Sequence, residues 1–403
     1  MSLASLADQN LRPSLAKMSH MHGLCVEIDS QFSRVEERWS KLAHASGALP
    51  FQHANWLKNW YQTLGRQEHV KPLLLTLSDA KTGSDLLALP LCWYVRQGLR
   101  IISFADLGFT DYNTPLLGSD AVRSSYSAET LLAAILANLP DADVLELEKM
   151  PRLIGSHVNP LSTLTTQNSK FSGNILHVSN NWDEWHWGLE RTFRKELERS
   201  WRVFCKYPHS EFKQVTDQSE AIDVFAQLKT LQASRIVNSG LDYQLNAPVI
   251  DQFYDDVLFN GLESGTTILT ALRVKTEVVA ALMGISDGAH YAMVRLGTGG
   301  EKWKSCSPGR LVIERTMRHL HEQGFRKFDF TIGDYAYKRR LGVSQIELYD
   351  YRQALSVKGQ AYMSWLALKG ALKSSPLARQ GIVSLKRIFK KSNPPHAPSG
   401  AKI

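Results

Sequence analysis

No window of the 403-residue chain reaches 18 consecutive apolar residues, the run that a membrane-spanning helix needs. The first 20 residues, MSLASLADQNLRPSLAKMSH, lack the apolar centre of a secretory signal. A cytoplasmic protein is the expectation. Cysteine is scarce: Cys25, Cys92, Cys205 and Cys306 lie far apart without a C-x-x-C pair, so zinc knuckles and redox motifs are unsupported. No metal is expected, and the thiols read as buried and reduced. Acidic residues are absent from residues 351–403, which hold ten Lys and Arg. Of the 47 Lys+Arg, 37 therefore face 39 Asp+Glu in the rest of the chain, and the net charge of +8 belongs to a tail. A protein that coats nucleic acid carries its charge on the body, so that class is set aside.

What is present is ordinary globular material, 43% hydrophobic and 21% charged, enough for more than one domain. Residues 31–45 read as a helix with Phe32, Val35, Trp39 and Leu42 on one face and Asp29 or Ser30 as cap. A second helix spans about 53–64 with Trp56, Trp60 and Leu64. Three strand runs follow at 72–78, 85–95 and 99–105, then a loop with Asp111-Tyr112-Asn113, a helix near 125–138 and a strand at 144–148. The order then returns. A long helix at 182–206 carries the stripe Leu189, Phe193, Leu197, Trp201 and Phe204. A strand at 211–216, helices at 219–237 and 248–263, and strands at 266–274, 277–286 and 290–297 follow. A helix at 308–323 and a strand at 327–330 close the second round. This repeated order implies a duplicated α/β unit.

Two runs carry candidate chemistry. In Ser307-Pro308-Gly309-Arg310, Ser307 fits an N-cap, Pro308 the first helical position, and Gly309 a close approach of backbone to ligand. Arg310 and Lys304 add charge beside free helix-start amides, the composition of an anion site. In KFDFTIGDYAYKRRLG, Asp329 sits in a strand between Phe328 and Phe330, and Asp334 can cap a short helix bearing Tyr335, Tyr337 and Lys338. An Asp334–Lys338 ion pair at i,i+4 is one reading. The other is a carboxylate for proton removal with a Tyr or Lys for donation. These four groups are expected to converge on one cleft. Cys306 reads as incidental and His290 as structural. Arg191, Arg194, Lys195, Arg199 and Arg202 read as a solvated helix face.

Several pieces, in this order, resemble the CelD/BcsL family, bacterial proteins with a BioF-like acetyltransferase domain within the GNAT superfamily. They are Pro50-Phe51-Gln52 with Trp56 and Trp60, Pro90-Leu91, the loop Leu107-Gly108 to Asp111-Tyr112, Ser307-Pro308-Gly309, and Asp329-Phe330 to Gly333-Asp334 with Tyr337-Lys338. The resemblance covers about residues 25–355 and implies two fused GNAT-like units. The expected fold class is thus α/β (α+β), each unit a mixed, mainly antiparallel sheet flanked by helices. The expected division is a flexible stretch over 1–24, units over 25–170 and 171–355, and a basic helical tail over 356–403 ending in disorder.

The resemblance implies acyl transfer from acetyl-CoA or another acyl-CoA to an amine or hydroxyl, and association with cellulose or other polysaccharide production. The superfamily's phosphate loop, Q/R-x-x-G-x-G/A, is replaced here by Ser307–Arg310, assigned to the pyrophosphate. Asp329 or Asp334 is the candidate base, Tyr337 the candidate acid, Lys338 a further catalytic candidate, and Asp111 and Tyr112 the substrate-binding pair. Two alternatives stand beside this: a Fem-like transferase taking aminoacyl groups from tRNA, and a non-catalytic assembly factor of a membrane polysaccharide complex. In the tail, residues 379–391 place Ile382, Leu385, Ile388 and Phe389 opposite Arg379, Lys386, Arg387, Lys390 and Lys391. That is the pattern of a helix lying on an anionic membrane, so peripheral contact through 358–391 is expected.

Overall fold

The computed structural model describes residues 17–21, 23–118, 123–165, 167–238, 245 and 247–374. The first half supplies β1 (Lys17–Met21), β2 (Leu24–Asp29), β3 (Val70–Asp79), β4 (Asp85–Arg96), β5 (Leu99–Phe104), β6 (Leu116–Leu117) and β7 (Val144–Pro151). A hairpin of β8 (Leu153–Ile154) and β9 (His157–Val158) stands apart. The second half supplies β10 (Asn168–His177), β11 (Ser210–Val215), β12 (Thr267–Val274), β13 (Glu277–Ser286), β14 (His290–Thr298), β15 (Lys327–Asp329) and β16 (Ser344–Ala354). Apart from the hairpin these strands form one sheet in the order β1-β2-β3-β4-β5-β7-β16-β10-β15-β14-β13-β12-β11, with β6 on β4. Neighbours are antiparallel except at two places, β5 beside β7 and β14 beside β15. The fold is the mixed, mainly antiparallel α/β class that the element order predicts.

Read outward from the middle, β16-β7-β5-β4-β3-β2 matches β10-β15-β14-β13-β12-β11. The second half lends a strand to the first. β10 pairs with β15 and β16 of its own half, whereas β16 also pairs with β7 of the first half.

The helices are α1 (Phe32–Ser46), α2 (Ala54–Gln62), α3 (Ala128–Asn138), α4 (Pro160–Thr163), α5 (Trp182–Gly188), α6 (Arg191–Phe204), α7 (Gln218–Asn238), α8 (Pro248–Leu262), α9 (Pro308–Glu322), α10 (Ala336–Arg340) and α11 (Val357–Ser374). One core lies under α3 and another under α6 and α9. A third spans the seam, where α1 and α2 meet α7 and α8. There Trp56 packs edge-on to Phe253 with ring centres 4.9 Å apart, and Asn260 Nδ2 donates to Asn59 Oδ1 at 2.8 Å.

Several local expectations need correction. The helix expected over 182–206 is two, broken where Leu189 and Glu190 turn extended and Leu189 enters the core. Neither Asp29 nor Ser30 caps α1: Gln31 holds that position without a side-chain bond, while Asp29 accepts from the amides of Ser30 and Gln31. Lys17–Met21, inside the stretch expected to be flexible, pairs with Leu24–Ile28. Cys205 is exposed, whereas the other three cysteines are buried. Residues 379–391 lie outside the described residues.

Candidate active site

Both parallel strand pairs open into clefts. β14 and β15 are in register for only three residues, His290–Lys327, Tyr291–Phe328 and Ala292–Asp329. β15 ends there while β14 runs on to Thr298, so the strands part beyond Ala292. β14 also carries an extra residue, because Met283 faces Arg295 and Gly284 faces Met293, leaving Val294 without a counterpart on β13. At the open end lies a pocket of about 500 Å³, walled by Leu296, Thr298, Lys304, Ser307–Arg310 and Tyr337. α9 starts here. Among the described residues, no backbone carbonyl accepts from the amides of Gly309 or Arg310, and the helix dipole adds partial positive charge.

Ser307 departs from expectation. It sits in the left-handed region at φ 46° and makes no capping bond. Its hydroxyl instead accepts from Arg310 Nη2 at 3.0 Å, and Arg310 Nη1 reaches Glu196 of α6 at 2.7 Å. Gly309 is required by close packing, since a Cβ there would stand 2.9 Å from the Thr298 methyl.

The closed end of the cleft is Asp329, wholly buried. Its Oδ1 accepts from Tyr112 Oη at 2.8 Å and from the Thr331 amide at 2.7 Å, and His290 Nε2 stands 3.3 Å from Oδ2. Burial, and then the neighbouring Asp329 carboxylate, push the Tyr112 phenol well above its ordinary pKa, so it donates as a neutral hydroxyl. Thr331 has φ 57°, a strained conformation for a β-branched residue. The loop is held against that strain from two sides. Asn174 Nδ2 donates to Thr331 O at 2.7 Å and Gly333 O at 3.0 Å. Lys338 Nζ donates to the carbonyls of Phe330, Thr331 and Ile332 at 2.6, 3.2 and 2.8 Å. Burial lowers the Lys338 pKa to about 8.

The four groups expected in one cleft are therefore separated. Asp329 and Lys338 buttress the loop after β15, Tyr337 lines the outer pocket, and Asp334 is exposed and paired with Arg339. The expected Asp334–Lys338 pair does not form because the carbonyls of residues 330–332 take the ammonium. The structure does join Tyr112 to Asp329 across the two halves. Next to Tyr112, burial raises the Asp111 carboxyl to about 6, against a hydrogen bond with Thr331 and the charge of Lys149.

The early motif residues brace the loop that carries Asp111 and Tyr112. Gln52 Nε2 donates to Tyr112 O at 2.8 Å, and Trp56 Nε1 donates to Thr110 Oγ1 at 3.1 Å. Asn174, Thr331 and Lys149 escaped sequence reasoning. Asn174 lies in the unrecognised strand β10, and nothing in the sequence marks a left-handed threonine. The first half has its own cleft beyond Ser103–Glu146, a cavity of about 720 Å³ whose walls balance Arg96, Lys149 and Lys170 against Asp106, Glu146 and Glu148.

Residues 191–339 match the family model described as Acetyltransferase (GNAT) domain, so the second half carries a GNAT-like acetyltransferase domain. Over 87% of its length the chain has a fold like that in the crystal structure of FemX, at 11% identity and covering 99% of that chain, with a TM-score of 0.58. Weaker likenesses are to a tandem GNAT protein from the clavulanic acid biosynthesis pathway (10% identity, 83% of this chain, 99% of that one, TM-score 0.41) and to L-PGS from Bacillus licheniformis (11% identity, 78% and 90%, TM-score 0.46). No curated protein matches the sequence at a significant level. The likeness to FemX is one of fold.

Proposed function

We propose that the protein is an acyltransferase that moves an acetyl or other acyl group from acyl-CoA to an amine or hydroxyl. The observation that supports this best is the cleft between β14 and β15, open at the start of α9 and closed at Asp329. From Thr298 back to Ala292 the strand offers about 20 Å, the reach of an extended pantetheine arm. Pyrophosphate would sit at the amides of Gly309 and Arg310. Near the closed end, the extra residue Val294 can turn a backbone N–H to the thioester carbonyl. Asp329 then stands where the acceptor must attack, with Asp111 and Tyr112 beside it. Tyr337, the acid expected from the sequence, lines the outer pocket at the pyrophosphate end and is given no proton-transfer role. Lys338 positions the loop, and Asp334 is left outside the machinery. Holding donor and acceptor in one cleft supplies much of the acceleration.

We keep GNAT-like units over 25–170 and 171–355 as the working division, with β16 reaching across it to β7. On the motif resemblance, we place the reaction in polysaccharide or cell-envelope synthesis. We also place the protein at the inner membrane face through its C-terminal segment. No helix among the described residues is long and apolar enough to cross a membrane. α11 exposes Val357, Trp365 and Leu368, and Lys369 Nζ lies 4.6 Å over the Trp365 ring.

A second reading has an aminoacyl-tRNA as donor. It draws on the FemX-like fold and on Arg191, Lys195, Arg199 and Arg202, exposed along α6 beside the outer pocket. Thermal-shift titration separates the two, because a ligand of the folded state raises Tm by mass action. Acetyl-CoA should raise Tm and bulk tRNA should not. A rise with tRNA alone would favour the second reading, and silence with both would remove the enzymatic assignment.

A further inference from the structure

Lys327 and Asp329 occupy alternate positions of β15 and leave the same face of the sheet, about 7 Å apart along the strand. Both line a pocket of about 430 Å³ on the seam between the halves. Its walls include Leu49 and Leu153, Ile175 of β10, and Ile346 and Tyr349 of β16. Tyr112, Arg152, His177, Glu347 and Tyr349 are its other titratable groups.

Two groups of opposite charge keep unmet capacity here, Asp329 at its Oδ2 and the half-buried Lys327. Asp329 Oδ2 accepts no hydrogen bond among the described residues, although His290 Nε2 is 3.3 Å away. Lys327 is half-buried, with no ion-pair partner and no hydrogen-bond acceptor among the described residues. Burial lowers its pKa, while Asp329 and Asp287 act in the opposite direction from beyond ion-pair distance. Leaving Asp329 Oδ2 and the Lys327 ammonium unmet is costly, and the two do not answer each other. An anion alone would meet Asp329, and a cation alone would meet Lys327. A ligand carrying both charges satisfies both groups, and the aliphatic walls call for an apolar body.

We infer that this pocket is the acceptor site and that it takes an α-amino acid with an apolar side chain, its ammonium on Asp329 and its carboxylate on Lys327. The fate of the amine rests on the acyl-transfer reading, whereas its binding does not. Asp329 is the last residue paired with β14, so an amine held there stands at the closed end of the donor cleft. The ammonium gives up one proton to solvent through Asp329, and the amine attacks the thioester carbonyl. The C–N bond forms, the C–S bond breaks, and the second proton goes to the thiolate. The products are the N-acyl amino acid and CoA-SH.

Isothermal titration of the full chain without CoA tests the site with L-phenylalanine, phenethylamine and 3-phenylpropionate. Phenylalanine should bind at least about 10-fold more tightly than either analogue, the worth of one charge-assisted hydrogen bond. Lys327→Met should cost phenylalanine a similar factor and leave phenethylamine unchanged. Equal affinity for the three, no binding of any, or an unchanged phenylalanine affinity in the folded variant would overturn the assignment. Should the variant fail to fold, the comparison on the wild-type chain decides alone. Mass spectrometry with acetyl-CoA added should show N-acetylphenylalanine. Charge-dependent phenylalanine binding without CoA binding or product would leave the site and remove the acyl-transfer reading. CoA binding without phenylalanine binding would do the reverse.

Discussion

Asp111 shows how one carboxyl reports on the seam. Its folded pKa of about 6 lies above the ordinary Asp value because burial outweighs Thr331 and Lys149. A carboxyl that binds its proton more tightly when folded favours the native state at low pH. That contribution is lost as pH rises from about 4 through 6. Asp111→Asn should therefore flatten the fall in Tm between pH 5 and pH 8 and recover up to about 3 kcal/mol at the upper end. Parallel Tm profiles for the two proteins would refute this. Asp329 and Asp334 should differ sharply. Asp334 is exposed with Arg339 as its partner, so Asp334→Asn should change stability by less than about 1 kcal/mol and leave turnover per folded molecule unaltered. Asp329→Asn should lower turnover about 100-fold or more. Steady-state rates normalised to folded protein distinguish the two, and a large loss from Asp334→Asn would restore it to the machinery. Both aspartates were visible in the sequence as candidates. What separated them was burial, which depends on residues such as Tyr112 and His290 brought in from other elements.

At the scale of elements, the cleft follows from a short strand beside a long one. β15 stops at Asp329 because Thr331 turns left-handed, and β14 has no neighbour on that side beyond Ala292. α9 then points its free amides into the gap. Arg310→Glu puts negative charge where that helix start attracts an anion, and acetyl-CoA binding should be abolished. Arg340 still holds Glu196 at 3.0 Å, so the stability cost should stay near 1 kcal/mol. An unchanged CoA affinity in the folded variant, measured by calorimetry, would sink the donor-site assignment. Most elements were legible because their apolar residues keep a helical or alternating period. β10 was not, since NSKFSGNILH begins polar and exposed and only its second half is buried. β16 mixes charges into both faces, and its pairing with β7 and β10 cannot be read from local pattern.

For the whole molecule, β16 ties the halves into one folding unit, because it pairs with β7 of the first and β10 of the second. Removing β16 would strip β7 and β10 of a neighbour at once. The described body should therefore unfold in a single calorimetric transition, with calorimetric and van't Hoff enthalpies equal. Two resolved transitions would mean that the halves are independent. A chain ending at Leu355 keeps the sheet but loses α11 and everything beyond it. Each Lys or Arg near an anionic surface contributes about 1 kcal/mol, so the full chain should float with anionic vesicles at low salt and the shortened chain should not. Equal recovery of both would end the membrane assignment.

The sequence by itself determined the duplicated element order, the mixed sheet class, the helix start at Pro308 and the concentration of charge in the tail. Each of these depends on residues near one another in the chain, through periodicity, capping chemistry or composition. Only the tertiary structure decided that Tyr112 reaches Asp329, that Lys338 serves three carbonyls rather than Asp334, and that Lys327 and Asp329 share a pocket without pairing. Those contacts join residues as many as 217 positions apart. Strand register and burial set them, and neither can be read from a local window.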